Sequence, residues 1–400
     1  MTGRIKLSRA SICPLFTLVC LMGLFGGLRL NAAPGGEFSL SKPLSLKWKF
    51  ETAETLGLTP AVSRDIVYLP LSGGRIISLG LADGSLNWKA ELGGDVSAEP
   101  DADESGVYVA TETPPLPRSP FLQATGALRA LGRLSGVGLW MRTLPAPIRG
   151  SLVSNETTLF GAAADGRVYA IRKMTGEVVW VKQLATSFIS APILHGGNLF
   201  VCDSEGVIIG LEQASGNTLR RYRTRQKIRS PPAVSEAFVY VGTADGNVLA
   251  FETVTGRLRW RARTGVAVQA VQLAGRCLLT TSLDNFVYCL SPQKGAKLWK
   301  RQLAGRIVAK PLATPQDVLL SPLAGDESVV LDLQEGKKTN SIHTGEDNNT
   351  GASPVLSGGI LLLTTRTGLA AYSDQSIGTA FFRAPGPPLS AFRLRARAEE

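Results

Sequence analysis

The stretch DGNVLAFETVTGRLRWR, Asp245–Arg261, decides the fold. Asp245-Gly246 is a tight-turn pair, since glycine takes the positive φ that a short hairpin turn demands. Asn247–Phe251 then alternates as a strand does, Thr255-Gly256 makes a second turn, and a further strand closes on Trp260. The same sentence recurs as DGRVYAIRKMTGEVVW at Asp165–Trp180 and, in worn form, as EGVIIGLEQASGNTLR at Glu205–Arg220. Trp88, Trp140, Trp180, Trp260 and Trp299 each follow a turn glycine (Gly84, Gly136, Gly176, Gly256, Gly295) by four residues. Trp48 stands in an equivalent strand near the N-terminal end.

Measured at this position, the copies fall at Trp48, Trp88, Trp140, Trp180, Arg220, Trp260, Trp299 and Asn340, in steps of 40, 52, 40, 40, 40, 39 and 41 residues. A fixed period of this size marks a repeat fold. Each period offers four short alternating strands with a turn at every joint, which is the blade of a β-propeller. The indole provides a flat ring to bury between neighbouring blades, and stability comes from stacking round the ring. Third strands can be traced at Arg75–Leu79, Ala127–Leu131, Arg167–Ile171, Val207–Leu211, Asn247–Phe251, Phe286–Leu290, Ser328–Leu331 and Leu369–Tyr372. The last lacks a Trp strand, whereas LKWKFET (Leu46–Thr52) is a Trp strand with nothing before it. The expected fold is therefore all-β: an eight-bladed propeller over residues 45–373, made of four-stranded antiparallel blades. The N-terminal strand joins the last blade and closes the ring. The long step reflects a proline-rich insertion, Pro114–Ala124, in blade two.

The two ends differ from this frame. Arg4, Lys6 and Arg9 precede an apolar run from Ile12 to Leu28, and small residues follow at Ala32-Ala33, so residues 1–33 read as an export signal or an N-terminal anchor. Cys20 is a poor lipidation site, since Val19 stands where a small residue is needed. Residues 34–44 read as a linker and 374–400 as a mobile, basic, Pro-rich tail. The formal charge of +11 falls to +7 without Arg4, Lys6, Arg9 and Arg29. A basic exported protein meets anionic headgroups or acidic proteins rather than nucleic acid.

Three cysteines lie beyond the leader. Cys277 and Cys289 fall on two arms of one hairpin turning near Asp284-Asn285. Counted outward from that turn, Cys289 opposes Thr280, leaving Cys277 three positions off. The expectation is buried free thiols at Cys202, Cys277 and Cys289.

Catalytic material is scarce. His195 and His343 have no metal-ligand partner at useful spacing, and no Gly-rich loop precedes a helix. Asp83, Asp165, Asp245 and Asp284 occupy turn positions that hairpin geometry explains. Asp-Gly-x-Val-Tyr-Ala, Thr-Gly and the following Trp, as in Asp165–Trp180, resemble the pyrroloquinoline-quinone-like propeller repeats. That resemblance covers nearly all of residues 42–373 and implies the same eight blades. The quinoprotein dehydrogenases of the family hold their quinone against paired adjacent cysteines and a Ca²⁺ site; this chain has no adjacent cysteines. It is more similar to the BamB-like branch, which implies an exported scaffold, not an enzyme, with no cofactor or metal. The implied role is support of outer-membrane β-barrel assembly through contacts with a BamA-like protein. A degenerate quinoprotein or a cell-envelope ligand sensor are the alternatives. Within Leu144–Val168, LPAPIRGSLVSNETTLFGAAADGRV, the resemblance implies partner contacts at Ile148 and Arg149. There the family carries an acid after the glycine, whereas this chain has Ser151.

One feature comes from the residues alone. Arg221, Arg223 and Arg225 in blade four, and Arg257, Arg259, Arg261 and Arg263 in blade five, fall at odd offsets from Arg220 and Trp260. Strict alternation would put all seven on one face, opposite Leu258 and Trp260. They form a candidate stripe for an anionic lipid or acidic protein surface.

Overall fold

The computed structural model describes residues 38–114, 124–184, 187–188, 190–203, 205–323, 326–345 and 349–374. Residues 1–33, the interior of the blade-two insertion and the tail beyond Asp374 lie outside them. The described chain is all-β and forms eight antiparallel blades of four strands, the inner strand of blade two being broken into Asp95–Val96 and Asp101–Ala102. Blade five shows the pattern: Ala233–Val234, Phe238–Gly242, Asn247–Glu252 and Leu258–Arg263, running from inner to outer strand. Blade eight is split as expected. Val355–Ser357, Ile360–Thr365 and Gly368–Asp374 take Leu44–Glu51 as outer strand, with Trp48 opposite Ala371. Second and third strands are buried almost throughout, because each blade is covered on both faces by its neighbours.

Each tryptophan joins its blade to the next. The indoles of Trp48, Trp88, Trp140, Trp180, Trp260 and Trp299 lie flat on Gly84, Gly136, Gly176, Gly216, Gly295 and Gly336 of the following blade. A Cβ on any of these glycines would come within 2.5–2.7 Å of the ring, and each has φ near +70°. Glycine is thus required twice over, by the turn and by the indole. Each indole N–H also donates to a backbone carbonyl of that next blade, from 2.8 Å at Lys173 O to 3.1 Å at Leu333 O. Two seams lack an indole. In blade four the Arg220 side chain covers Gly256 and donates to Thr255 O at 3.0 Å, and Tyr222 Oη donates to Thr253 O at 3.0 Å.

The blade-seven seam is closed by the chain's own N-terminal segment. Asn340 Nδ2 donates to Leu40 O (2.9 Å) and Lys42 O (2.6 Å), and Ser41 Oγ donates to Asp317 Oδ1 at 2.6 Å. Leu40 is fully buried among Leu319, Ile342, Leu361 and Leu363 of blades seven and eight. The described part of the stretch expected as a linker is therefore docked before the closing strand begins at Leu44.

Two expectations need correction. Cys277 and Cys289 are disulfide-bonded, with Cα atoms 5.0 Å apart, and Cys202 is the buried free thiol. The pairing sets Leu279, not Thr280, opposite Cys289, so Cys277 lies two positions away on the same face. A one-residue register error had moved it to the other face. The arginine stripe is also interrupted. Every outer strand carries a register shift just before the Trp position. In blade five Trp260 pairs with Ala250 and Leu258 with Phe251, leaving Arg259 as the extra residue. Leu258 thereby leaves the Trp260 face and is 47% exposed. The bulge adds the local twist that turns the indole onto the next blade.

Trp260→Ala should lower the unfolding free energy in urea by about 3–5 kcal/mol. Arg220→Ala, at the seam without an indole, should cost about 1 kcal/mol; equal losses would deny the indole its special role. Peptide mapping without reductant should recover Cys277 linked to Cys289 and Cys202 free.

Candidate functional site

The connection from the outer strand of blade two, Gly138–Leu144, to the inner strand of blade three, Val153–Ser154, carries Ile148 and Arg149. Ile148 bridges to Ala163 and is 1% exposed, within the core shared by blades two and three. The same bridge recurs as Phe188 with Asp203, Ile228 with Thr243 and Ile307 with Pro322, so this is a repeat anchor position. Arg149 is the more accessible member of the pair. Its N–H donates to Ala162 O at 3.1 Å, and its side chain, 43% exposed, meets Glu112 Oε2 at 2.5 Å. Gly150 has φ +79°, and a Cβ there would stand 2.7 Å from Ala191 N, so the Arg149 loop is pressed onto blade four.

Ser151 is not without a carboxylate. Its hydroxyl donates to Glu99 Oε2, and Gly150–Ser151 pairs in parallel with Ala98–Glu99. Glu99 Oε1 accepts from Thr59 Oγ1 at 2.5 Å, Thr59 Oγ1 accepts from Ser353 N–H at 3.0 Å, and Ser353 Oγ accepts from Lys310 N–H at 3.1 Å. These residues lead into the inner strands of blades seven, eight, one, two and three, so one hydrogen-bonded chain links five blades.

Two features escaped sequence reasoning. Arg229 follows Ile228 as Arg149 follows Ile148, two blades on, and is exposed. The Ile-Arg pair repeated eighty residues apart was a readable signal. The second is a buried charge cluster between blades two and three. Lys173, 3% exposed, donates to Asp103 Oδ2, to Asn155 O at 2.9 Å and to Ser154 Oγ at 3.3 Å, with the Tyr108 ring 5.5 Å away. Asp101 lies beside it, and its Oδ2 is buried without a hydrogen-bond partner. Burial raises the Asp101 carboxyl above its ordinary range, against the hydrogen bond it shares with Ser154 and the weaker pull of Lys173. Nothing in the repeat pattern signals this cluster, because Lys173 sits at a turn position that other blades fill with Gln213 or Thr253.

The turn aspartates do turn work. Asp83 accepts from Ser85 N–H at 3.0 Å and Ser85 Oγ at 2.8 Å, which hold its carboxyl below the usual range. Asp165 Oδ1 and Asp284 Oδ1 each accept a backbone N–H at 3.1 Å. Tyr68 and Tyr288 are pushed up to about 12 by burial; Tyr68 Oη donates to Arg133 O at 3.2 Å and Tyr288 Oη to Asp284 Oδ2 at 2.6 Å. Among the described residues no group of three His, Cys, Asp or Glu side chains is placed to hold a metal. His343 Nδ1 stands 4.0 Å from Asp326, both exposed.

All seven arginines of the candidate stripe are exposed. Arg221 and Arg223 lie in Thr218–Arg223, and Arg259, Arg261 and Arg263 in Leu258–Arg263. Arg257 belongs to the preceding turn, and Arg225 to the following loop with φ +58°.

Asp101→Asn should unfold at higher urea than the wild type at pH 7. The folded carboxyl holds its proton more tightly than the unfolded one. Its contribution is therefore present below the ordinary carboxylate range and lost as pH rises through the raised folded value. The advantage should vanish below the ordinary range; a difference independent of pH would refute this origin.

Comparison with known proteins places these observations. The family described as "Outer membrane protein assembly factor BamB" matches residues 40–116, 124–272 and 264–376. No curated protein matches the chain. Among solved structures, BamB from Moraxella catarrhalis is similar at 16% identity and a TM-score of 0.66, over 83% of this chain and 98% of that one. The computationally designed Ika8 protein is similar at 17% identity and a TM-score of 0.69, over 83% and 99%. At such identities both likenesses speak for the fold alone.

Proposed function

Because the chain belongs to the family of the outer membrane protein assembly factor BamB, we propose that it is an exported, non-enzymatic scaffold supporting outer-membrane β-barrel assembly. Its partner in this reading is a BamA-like assembly protein. The observation that carries it is the half-exposed Arg149 side chain, presented on a loop anchored on both sides. Ile148 anchors the loop in the core, and Gly150 presses it against blade four. Arg149 is the contact residue, and Ile148 is a positioning residue acting through it. Glu112 holds the guanidinium in the free protein, so an acidic group of the partner would replace Glu112 as its counterion. A rigid ring suits a scaffold, since a preformed surface has little ordering entropy to lose on binding.

Export is supported independently. A buried disulfide inside blade six persists in an oxidising compartment such as the periplasm, which agrees with the basic and apolar N-terminal pattern.

Capture of membrane proteins by the tagged full-length chain should recover a barrel-assembly partner. Arg149→Glu should weaken that capture about tenfold with an unchanged urea midpoint, whereas Ile148→Ala should lower both. Equal binding by wild type and Arg149→Glu would remove Arg149 from the interface. Recovery of no barrel-assembly protein by the wild type would remove the function.

A further inference from the structure

Equivalent positions on the outer strands differ round the ring. One and three residues after the Trp, blades eight and one carry Lys49 with Glu51 (3.0 Å) and Lys89 with Glu91 (3.7 Å), each neutralised within its own strand. At the same two positions blades four and five carry Arg221 with Arg223 and Arg261 with Arg263, and among the described residues none of these four makes an ion pair. Protecting an exposed edge needs charge but not one sign of it, and the Lys–Glu pairs already do that elsewhere. Two arginines two residues apart on one exposed strand face concentrate positive charge that an anionic surface would complement.

Blade five lengthens the array. Arg257 stands at the end that carries the Gly256 turn and Arg263 at the end that carries Asn247, opposite which it pairs. Six residues of strand span about 20 Å. Exposed apolar side chains neighbour these cations in sequence, as they do at the equivalent positions of other blades: Leu219 is 52%, Leu258 47% and Val254 76% exposed. The bulge at Arg259 is what brings Leu258 to this surface.

We propose that the outer edge of blades four and five is a docking surface for a phospholipid bilayer bearing anionic headgroups. Phosphates would sit against the guanidiniums, and Leu219, Leu258 and Val254 would enter the headgroup layer. The bilayer is favoured over an acidic protein by the exposed aliphatic side chains on the same segments as the cations. An acidic surface offers them nothing, whereas an interface that is charged above and apolar below accommodates both. This surface is distinct from the Arg149 loop, so it stands or falls separately from the proposed scaffold role.

The test is sedimentation of the full-length chain with vesicles of pure phosphatidylcholine and with vesicles containing about one third phosphatidylglycerol. The apolar run at residues 12–28 contributes to both, so the quantity read is the difference between them. Wild type should prefer the anionic vesicles, and salt should reduce the preference. The triple variant Arg257→Gln, Arg259→Gln and Arg261→Gln should lose it about tenfold. The corresponding triple Lys variant should retain it, and Leu219→Ser with Leu258→Ser should weaken binding to both vesicle types. Equal partitioning of wild type and the Gln variant would overturn the proposal. So would a wild type that ignores anionic vesicles yet binds polyglutamate through the same arginines, which would assign the surface to an acidic protein.

Discussion

The indole laid on a glycine of the next blade is the contact on which the structure depends. A single blade is two-sided and cannot cover itself, so its second and third strands are stable only between neighbours. The indole buries a large flat area across that seam and ties it with an N–H bond to the neighbour's backbone. The bulge before each Trp and the positive-φ glycine it meets on the next blade both serve this contact. One aims the ring, and the other makes room for it.

The exceptions show the same constraint. Where Arg220 replaces Trp, its aliphatic stem lies on Gly256 and its guanidinium caps Thr255 O, so contact and hydrogen bond are kept with less buried area. Where Asn340 replaces Trp, blade eight has no turn between third and outer strands, because its outer strand arrives from the other end of the chain. Asn340 finds its carbonyls on Leu40 and Lys42 instead. The missing tryptophan and the split blade are thus a single adaptation: the seam that joins the two ends is sealed by the arriving N-terminal segment.

The candidate sites sit where this architecture leaves freedom. Ile148 is committed to the core, as are its equivalents Phe188, Ile228 and Ile307, and the residue after it is free to vary. That residue is Arg in blades three and five, Ile189 in blade four and Val308 in blade seven. The outer strands are similarly constrained at the Trp and variable on either side. Charge collects there as neutral Lys–Glu pairs in blades eight and one and as doubled arginines in blades four and five.

The sequence by itself determined the blade count, the strand order, the closure by residues 45–52 and the exposure of the arginines. All of these follow from period, alternation and turn chemistry, which are local. Tertiary structure alone decided the disulfide, because pairing Cys289 with Leu279 or with Thr280 is a difference of one residue in register. It decided the side of Leu258, because a bulge is invisible to a period-two pattern. It decided the Lys173 cluster and the Glu99–Ser151 bond, because each joins residues of different blades whose approach depends on the closed ring.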